Sequence, residues 1–260
     1  MGILEKIVQS KKKSLDLRKR GFPQNYLEQS LLFSRPCYSL VDSVKNSTNG
    51  IIAEFKRRSP SKGEINYCSE IVDTLTGYEK AGVSGISVLT DVSFFGGSVE
   101  DLTIARGCTK IPILRKDFIF DPYQIIESKA FGSDLVLLIA RILKPQKVKE
   151  LTLLAHSIGL EVLLEIHDES EFHTHVFSEI DLIGINNRNL NSFRVDPALS
   201  ISLSNKIPDR FTKIAESGIR SANEIRKLKS YGYDGFLIGE QFMKGNNPAE
   251  IVHRLIQELE

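Results

Sequence analysis

Short hydrophobic runs recur along the chain at a spacing that predicts a repeating strand–helix unit. Eight such runs, rich in Ile, Leu, Val and Phe, begin about 20 to 34 residues apart. Nearly continuous apolar runs are typical of strands in a parallel sheet that is covered on both faces. The predicted strands are Ile51–Phe55, Gly85–Leu89, Ile111–Leu114, Leu135–Ile139, Val162–Ile166, Leu182–Ile185, Phe211–Ala215 and Phe236–Ile238.

Amphipathic segments separate these strands, and several end in a glycine before the next strand begins. Gly82, Gly132, Gly159 and Gly232 stand where a helix would finish, and glycine readily adopts the left-handed backbone found there. Eight strand–helix units predict an α/β fold, the (β/α)8 TIM barrel. The predicted helices include Ile71–Ala81, Pro122–Ala130, Pro145–Ser157 and Asn223–Tyr231.

An open, doubly wound sheet is the alternative that the same alternation allows. That fold would be expected to carry a glycine-rich fingerprint after its first strand. Here the residues Lys-Arg-Arg-Ser-Pro, beginning at Lys56, occupy that position. The barrel is therefore favoured.

The first 48 residues precede the repeating units and are predicted to form an N-terminal helical extension, packed on a barrel of residues 49–260 within one domain. Lysines 11 to 13 are predicted to lie on the solvent side of its helix, with a nucleic-acid patch as the alternative. Charged residues interrupt the segment, so it has no secretory hydrophobic region. The apolar stripe of this helix consists of Ile3, Leu4, Ile7, Val8 and Leu15.

Composition is that of an ordinary globular protein. Of 260 residues 41% are hydrophobic, and 34 basic against 33 acidic residues leave a net charge of +1. This balance would not recruit nucleic acid or an acidic membrane, and no apolar run approaches the ~18 residues of a membrane span. Three widely spaced cysteines argue against disulfides and for a cytoplasmic location. No apolar surface stripe demands a dimer, so we expect a monomer.

The stretch Ile51–Gly63 contains the first candidate chemistry. Glu54 and Lys56 share one face of the predicted strand, because side chains alternate along a strand. Burying a carboxylate and an ammonium group at the end of a strand costs free energy unless the two groups form an ion pair or serve a function. Taken alone, the stretch favours a basic surface loop whose Lys and Arg side chains are solvated.

The ends of the other strands favour a functional site. Six of the eight strands carry a charged or amide side chain at the same end, and in this fold the site lies at that end. Small residues at Ser217-Gly218 and Gly239-Glu240 predict a phosphate site on backbone N–H groups. The negative charge of the Glu240 carboxylate would repel a phosphate there unless the side chain points outward. His167 is predicted to face the helices. No metal is predicted, because His173 and His175 point apart on a helix.

Nine ordered motifs span essentially the whole chain: Ala53–Gly63, Ile86–Asp91, Phe95–Leu102, Pro112–Phe118, Leu137–Ile139, Glu165–Asp168, Gly184–Leu190, Ala215–Ile219 and Phe236–Glu240. Together they resemble indole-3-glycerol phosphate synthase. That family closes the pyrrole ring of 1-(2-carboxyphenylamino)-1-deoxyribulose 5-phosphate and releases CO2 and water in tryptophan biosynthesis. The resemblance implies a cofactor-free carboxy-lyase.

The same resemblance implies a role for each site residue. Lys116 would be the general acid at the substrate carbonyl, and Glu165 its acid–base partner. Lys56, held by Glu54, would contact the anionic groups of the substrate or assist dehydration. The other implied contacts are Asn186, Arg188, Ser59 and Glu216 around the substrate, Phe95, Phe118 and Leu137 against its ring, and Ser217, Gly218, Gly239 and Glu240 at its phosphate.

Other functions stay open at this point. A related phosphate-binding barrel such as phosphoribosylanthranilate isomerase would use Cys and Asp where this chain has Lys and Glu. A non-catalytic phosphosugar-binding barrel is the alternative from a different class, and a nucleic-acid binder is disfavoured by the balanced charge. The loop from Arg57 to Gly63 is expected to be mobile and to lie over the site.

Overall fold

The computed structural model describes residues 2–190 and 192–260, and within them eight parallel strands close into a barrel. Each strand pairs in parallel with its two neighbours in chain order, and the first strand pairs with the last. The predicted (β/α)8 barrel is confirmed. Its strands are β1 (Ile51–Phe55), β2 (Gly85–Leu89), β3 (Ile113–Lys116), β4 (Leu135–Ile139), β5 (Glu161–Ile166), β6 (Leu182–Asn186), β7 (Thr212–Glu216) and β8 (Gly235–Ile238).

Helices precede the barrel and surround it. Among the described residues, none is both long and apolar enough to cross a membrane. Three belong to the N-terminal extension: α1 (Ile3–Gly21), α2 (Gln24–Leu27) and α3 (Leu40–Lys45). The others are α4 (Ile71–Lys80), α5 (Val92–Phe95), α6 (Glu100–Cys108), α7 (Pro122–Ala130), α8 (Pro145–Ser157), α9 (Glu169–His175), α10 (Ala198–Ser204), α11 (Ala222–Ser230), α12 (Glu240–Met243) and α13 (Pro248–Leu259).

Alternation along the strands creates two hydrophobic cores. One set of side chains, which includes Ala53 and Val88, packs between the sheet and the helices. The other set fills the barrel interior and includes Leu114, Leu163 and Ile214. Residues two positions further along a strand share its face, so the interior set carries the polar residues of β3, β5 and β7 towards one opening.

Strand β3 begins and ends two residues later than predicted. Pro112, which has no N–H to donate to a ladder, precedes it. Its end extends through Arg115, whose side chain is only 1% exposed. That guanidinium lies 3.0 Å from Asp117 and 2.8 Å from Glu127, which compensates its buried charge.

Helix α1 packs Leu4, Ile7 and Leu15 against the barrel, as its stripe predicted. The prediction that all three lysines face solvent is wrong for Lys11. Its side chain is 12% exposed, and its Nζ lies 2.6 Å from Oδ1 of Asp117. Position 11 lies midway between positions 7 and 15 at four-residue spacing, and therefore on the buried face of the helix.

Candidate active site

All fifteen residues predicted for the site line one cavity of about 490 Å3 at the carboxyl ends of the strands. The strands bring them together because parallel strands of a barrel present the same end to one opening. Cysteines do not occur among the described residues that line it. The cavity therefore contains lysines and carboxylates as its reactive groups.

Lys116, the last residue of β3, lies at the centre of the charged group. Its Nζ donates to Oε2 of Glu165 at 2.9 Å and lies 3.5 Å from Oε2 of Glu216. Burial would lower the pKa of Lys116, but the nearby carboxylates, Glu165 foremost, raise it well above its ordinary value. Lys116 is consequently an ammonium group at neutral pH and has a proton to give.

The two carboxyl groups beside Lys116 differ in their protonation. The pKa of Glu216 is raised to about 8, because burial and the charges of Glu165 and Glu54 together outweigh the lowering effect of Lys116. Burial also acts on Glu165, but Lys116 and then His167 bring its pKa below the ordinary range. Paired carboxyl groups whose pKa values are pushed apart are typical of acid–base sites.

Two glycines make room for the carboxylates. A Cβ on Gly184 of β6 would lie 2.1 Å from Oε1 of Glu216, and one on Gly239 would lie 2.4 Å from Oε1 of Glu54. No larger residue could stand at either position without moving a charged group. Both glycines therefore shape the charged part of the cavity.

Glu54 and Lys56 form an ion pair at the end of β1, with Lys56 Nζ donating to Oε1 of Glu54. Glu54 is 4% exposed, whereas Lys56 is half-buried and lines the cavity. The prediction that the two side chains share a face is confirmed. The interpretation as a solvated basic loop is wrong for these two residues.

The loop after β1 is held in place by two kinds of contact. Arg57 pairs with both carboxylate oxygens of Asp101, at 2.5 and 3.1 Å. Beyond it, Arg58–Ser59 and Gly63–Glu64 form a two-stranded antiparallel sheet. Ser59 is buried and lines the cavity from this loop.

The loop after β7 has an unusual backbone. Ser217 and Gly218 both have positive φ angles, of 67° and 83°. Ser217 is strained in this region unless its surroundings hold it there. Asn187, just past the end of β6, does so by donating from Nδ2 to the Ser217 carbonyl at 3.1 Å. Asn187 is not among the residues that the sequence predicts for the site.

Glu240 stands at the start of α12, after the neighbouring strand β8, and lines the same cavity. Its carboxylate accepts from Arg188 Nη2 at 3.1 Å and lies 2.8 Å from Lys244. Burial would raise the pKa of Glu240, but Lys244 above all lowers it. The carboxylate thus lies against cations that line the cavity rather than pointing outward.

An apolar wall faces the charged groups. The rings of Phe95 and Phe118 lie 5.9 Å apart between centroids with an interplanar angle of 37°, and Leu137 lines the same cavity. Helix α1 adds Ile3 and Ile7 to the lining. The apolar stripe of this helix predicts that it packs on the barrel, and the same stripe is the signal that could have predicted its place in the site.

The prediction that His167 faces the helices holds for one ring nitrogen only, because Nδ1 lies 3.5 Å from Oε2 of Glu171 on α9 whereas Nε2 approaches Glu165. His167 lies two residues beyond Glu165, which places both side chains on the same side of the chain. His167 is 7% exposed, and its Nε2 lies 3.3 Å from Oε1 of Glu165. The imidazole therefore stands behind Glu165 at the edge of the site.

An acid–base group at the carboxyl ends of the strands, an apolar wall and two glycine-containing loops define a (β/α)8-barrel enzyme. A sequence model of the indole-3-glycerol phosphate synthase family matches residues 4–255. The chain belongs to this family, the carboxy-lyases that make indole-3-glycerol phosphate in tryptophan biosynthesis.

Individual relatives agree over nearly the whole chain. The indole-3-glycerol phosphate synthase of Bacteroides thetaiotaomicron is 42% identical over 258 residues, covering 99% of each chain. That of Campylobacter jejuni subsp. doylei is 41% identical over 258 residues, covering 98% of this chain and all of the relative.

Solved structures with low sequence identity share the fold. The 3-hexulose-6-phosphate synthase of Salmonella typhimurium superposes with a TM-score of 0.64 at 12% identity, covering 81% of this chain and 98% of its own. Thiamine phosphate pyrophosphorylase from Pyrococcus furiosus gives 0.59 at 13% identity, covering 85% and 98%. At such identities the similarity concerns the barrel alone.

Proposed function

We propose that this chain forms indole-3-glycerol phosphate from 1-(2-carboxyphenylamino)-1-deoxyribulose 5-phosphate, with Lys116 as the general acid and Glu165 as its acid–base partner. The observation that carries these roles is the position of Lys116 Nζ, 2.9 Å from Glu165 and 3.5 Å from Glu216 inside the cavity. The reaction needs a proton donor at a ketone and a carboxylate close to it, and this group supplies both.

Two regions on opposite sides of the cavity would fix the orientation of the substrate. The anthranilate ring would lie against Phe95, Phe118 and Leu137, where it removes apolar surface from water. The phosphate would lie at the loops after β7 and β8, on the backbone N–H groups of Gly218 and Gly239. The Glu240 carboxylate lines this region, and its ion pairs with Arg188 and Lys244 would offset its negative charge beside the phosphate. Barrels of this kind frequently bind phosphate at these two loops.

Ring closure is the first step that these residues would assist. The aromatic carbon attacks the ketone carbon, and the developing alkoxide takes a proton from Lys116. Positioned acid catalysis of this kind accelerates a step by roughly 10²- to 10⁴-fold. The adduct is a cationic iminium, and the ring carboxylate leaves as CO2 while its bonding electrons neutralise that cation. The site residues supply each charge needed, so the proposal includes no cofactor.

Dehydration completes the product. A base removes a proton from the neighbouring carbon while the hydroxyl group leaves as water after accepting a proton. Glu165 would be the base, and the acid would be either Lys56 or Lys116 after it has regained a proton from solvent. Lys56 is paired with Glu54 and lines the same cavity, so a second ammonium group is available there.

A direct turnover assay tests the proposed function. Purified protein treated with EDTA is incubated with the carboxyphenylamino-deoxyribulose phosphate, and indole fluorescence is followed. We expect steady product formation. Absence of product above background contradicts the proposal, and conversion of phosphoribosylanthranilate instead would favour the isomerase alternative.

A further inference from the structure

His167 stands between two carboxylates. Its Nε2 lies 3.3 Å from Oε1 of Glu165, and its Nδ1 lies 3.5 Å from Oε2 of Glu171 on α9. Its side chain is 3% exposed, and neither ring nitrogen makes a regular hydrogen bond within the described residues. A buried imidazole with both nitrogens directed at carboxylates is poised to donate to them.

Glu171 is itself held firmly. Its Oε2 accepts from the backbone N–H of His167 at 2.7 Å, and its Oε1 accepts from Arg141 Nε at 2.8 Å. Arg141 also pairs with Asp168, the residue that caps α9. These contacts fix the outer end of the chain Glu165–His167–Glu171.

We propose that His167 is a positioning residue that orients the Glu165 carboxylate for proton transfer and is held in place by Glu171. The inference rests on the proposed role of Glu165. A neutral imidazole has one N–H and can donate to one carboxylate, whereas the imidazolium form donates to both. Contacts of 3.3 and 3.5 Å are long for hydrogen bonds, and hydrogen bonds between catalytic groups often shorten in the complex with substrate.

The charged groups around Glu165 predict how the pH dependence of the rate changes when His167 is removed. Lys116 from β3, Glu216 from β7 and Asn186 from β6 face this carboxylate, Glu54 from β1 lines the same cavity, and His167 approaches the carboxylate from behind. Glu171, with Arg141, faces His167 from α9. Removing His167 takes away a group that lowers the pKa of Glu165. The acidic limb of the pH–rate profile should then move to higher pH.

Three variants test the proposal after turnover has been shown for the unmodified protein. His167→Leu removes both ring nitrogens, His167→Gln retains an N–H donor, and His156→Leu is the matched control. His156 also pairs with a carboxylate, Asp181 at 2.8 Å, but it lies outside the cavity.

We expect His167→Leu to lower kcat by about 10-fold or more with KM within about threefold, because orientation of a reacting group affects the chemical step. His167→Gln should recover most of kcat but keep the shifted acidic limb. His156→Leu should leave both constants unchanged. Should His167→Leu fail to fold, Glu171→Gln tests the same chain and should lower kcat in the same direction.

Two outcomes overturn the proposal. One is a His167→Leu enzyme, or a Glu171→Gln enzyme if His167→Leu does not fold, whose kcat stays within twofold of the unmodified protein. The other is a loss of kcat that His167→Gln does not recover. Absence of turnover in the unmodified protein contradicts the proposed function instead, so the two failures are distinguishable.

Discussion

Lys11 of the N-terminal helix lies 2.6 Å from the carboxylate of Asp117, the residue that follows Lys116. Asp117 is fully buried and also contacts Arg115 at 3.0 Å. Burial opposes the charge on Asp117, but Lys11 and Arg115 hold the pKa of this carboxyl far below its usual range. The extension thus supplies a counter-charge directly behind the proposed general acid.

Removing this counter-charge should destabilise the protein. Lys11→Met leaves Asp117 with Arg115 as its main cationic partner, and partial loss of a buried ion pair costs about 2 kcal/mol. We expect the free energy of unfolding in urea to fall by that amount. Lys12→Met, at the exposed neighbouring position, should change it by less than about 0.5 kcal/mol. Equal effects of the two substitutions would show that the Lys11 contact contributes nothing.

Loss of the Lys116 ammonium group should impair the chemical step. Lys116→Met keeps much of the side-chain volume but has no proton to give, so kcat should fall by at least about 10²-fold. The melting temperature should show that the variant is folded. Lys110→Met, just before the same strand and exposed, should retain full activity. Activity of Lys116→Met within a few-fold of the unmodified enzyme would rule out Lys116 as the acid.

The raised pKa of Glu216 predicts how stability depends on pH. Its pKa is about 8 in the folded state and near 4.5 when exposed, so between these values the folded protein binds more protons than the unfolded chain. The Glu216 contribution to the free energy of unfolding must therefore fall as pH rises from about 5 to 8, by at most about 1.4 kcal/mol per pH unit.

Comparison of Glu216→Gln with the unmodified protein isolates this effect. The free energy of unfolding of the variant, measured in urea at several pH values, should increase relative to that of the unmodified protein as pH rises. Glu250→Gln, in an exposed pair with Arg254, should track the unmodified protein. A constant difference between Glu216→Gln and the unmodified protein across this range would contradict the raised pKa.

A side chain at Gly218 should interfere with phosphate. A Cβ there would lie 2.5 Å from Cγ1 of Val195, and φ of 83° is unfavourable for any residue except glycine. Gly218→Leu should raise KM by at least about 10-fold with a smaller change in kcat, in steady-state kinetics. Gly159→Leu shares the positive φ outside the cavity and should cost about 1 kcal/mol of stability without altering KM. A selective loss of kcat in Gly218→Leu would contradict the phosphate role.

The sequence by itself was sufficient to predict the barrel and the end of the barrel at which the site opens. Apolar runs that alternate with amphipathic segments show directly which parts of the chain are buried as strands. Residues such as Lys116 and Glu165 stand at the ends of those strands, and parallel pairing brings the ends together at one opening. Glycines such as Gly82 and Gly232 follow their helices with positive φ, as predicted, because this conformation is a local property of the backbone. The chemical roles of the site residues stay predictions.

Only the tertiary structure decided contacts between segments distant along the chain. Lys11 forms an ion pair with Asp117, which lies more than 100 residues away in the sequence. Periodicity along a helix predicts which residues face solvent, but it cannot show that a distant carboxylate is buried beside one of them. The unequal protonation of Glu165 and Glu216 likewise depends on which charges surround each carboxyl in space. Burial and Coulomb interactions depend on three-dimensional distance, and periodicity along the chain gives only the face on which each side chain lies.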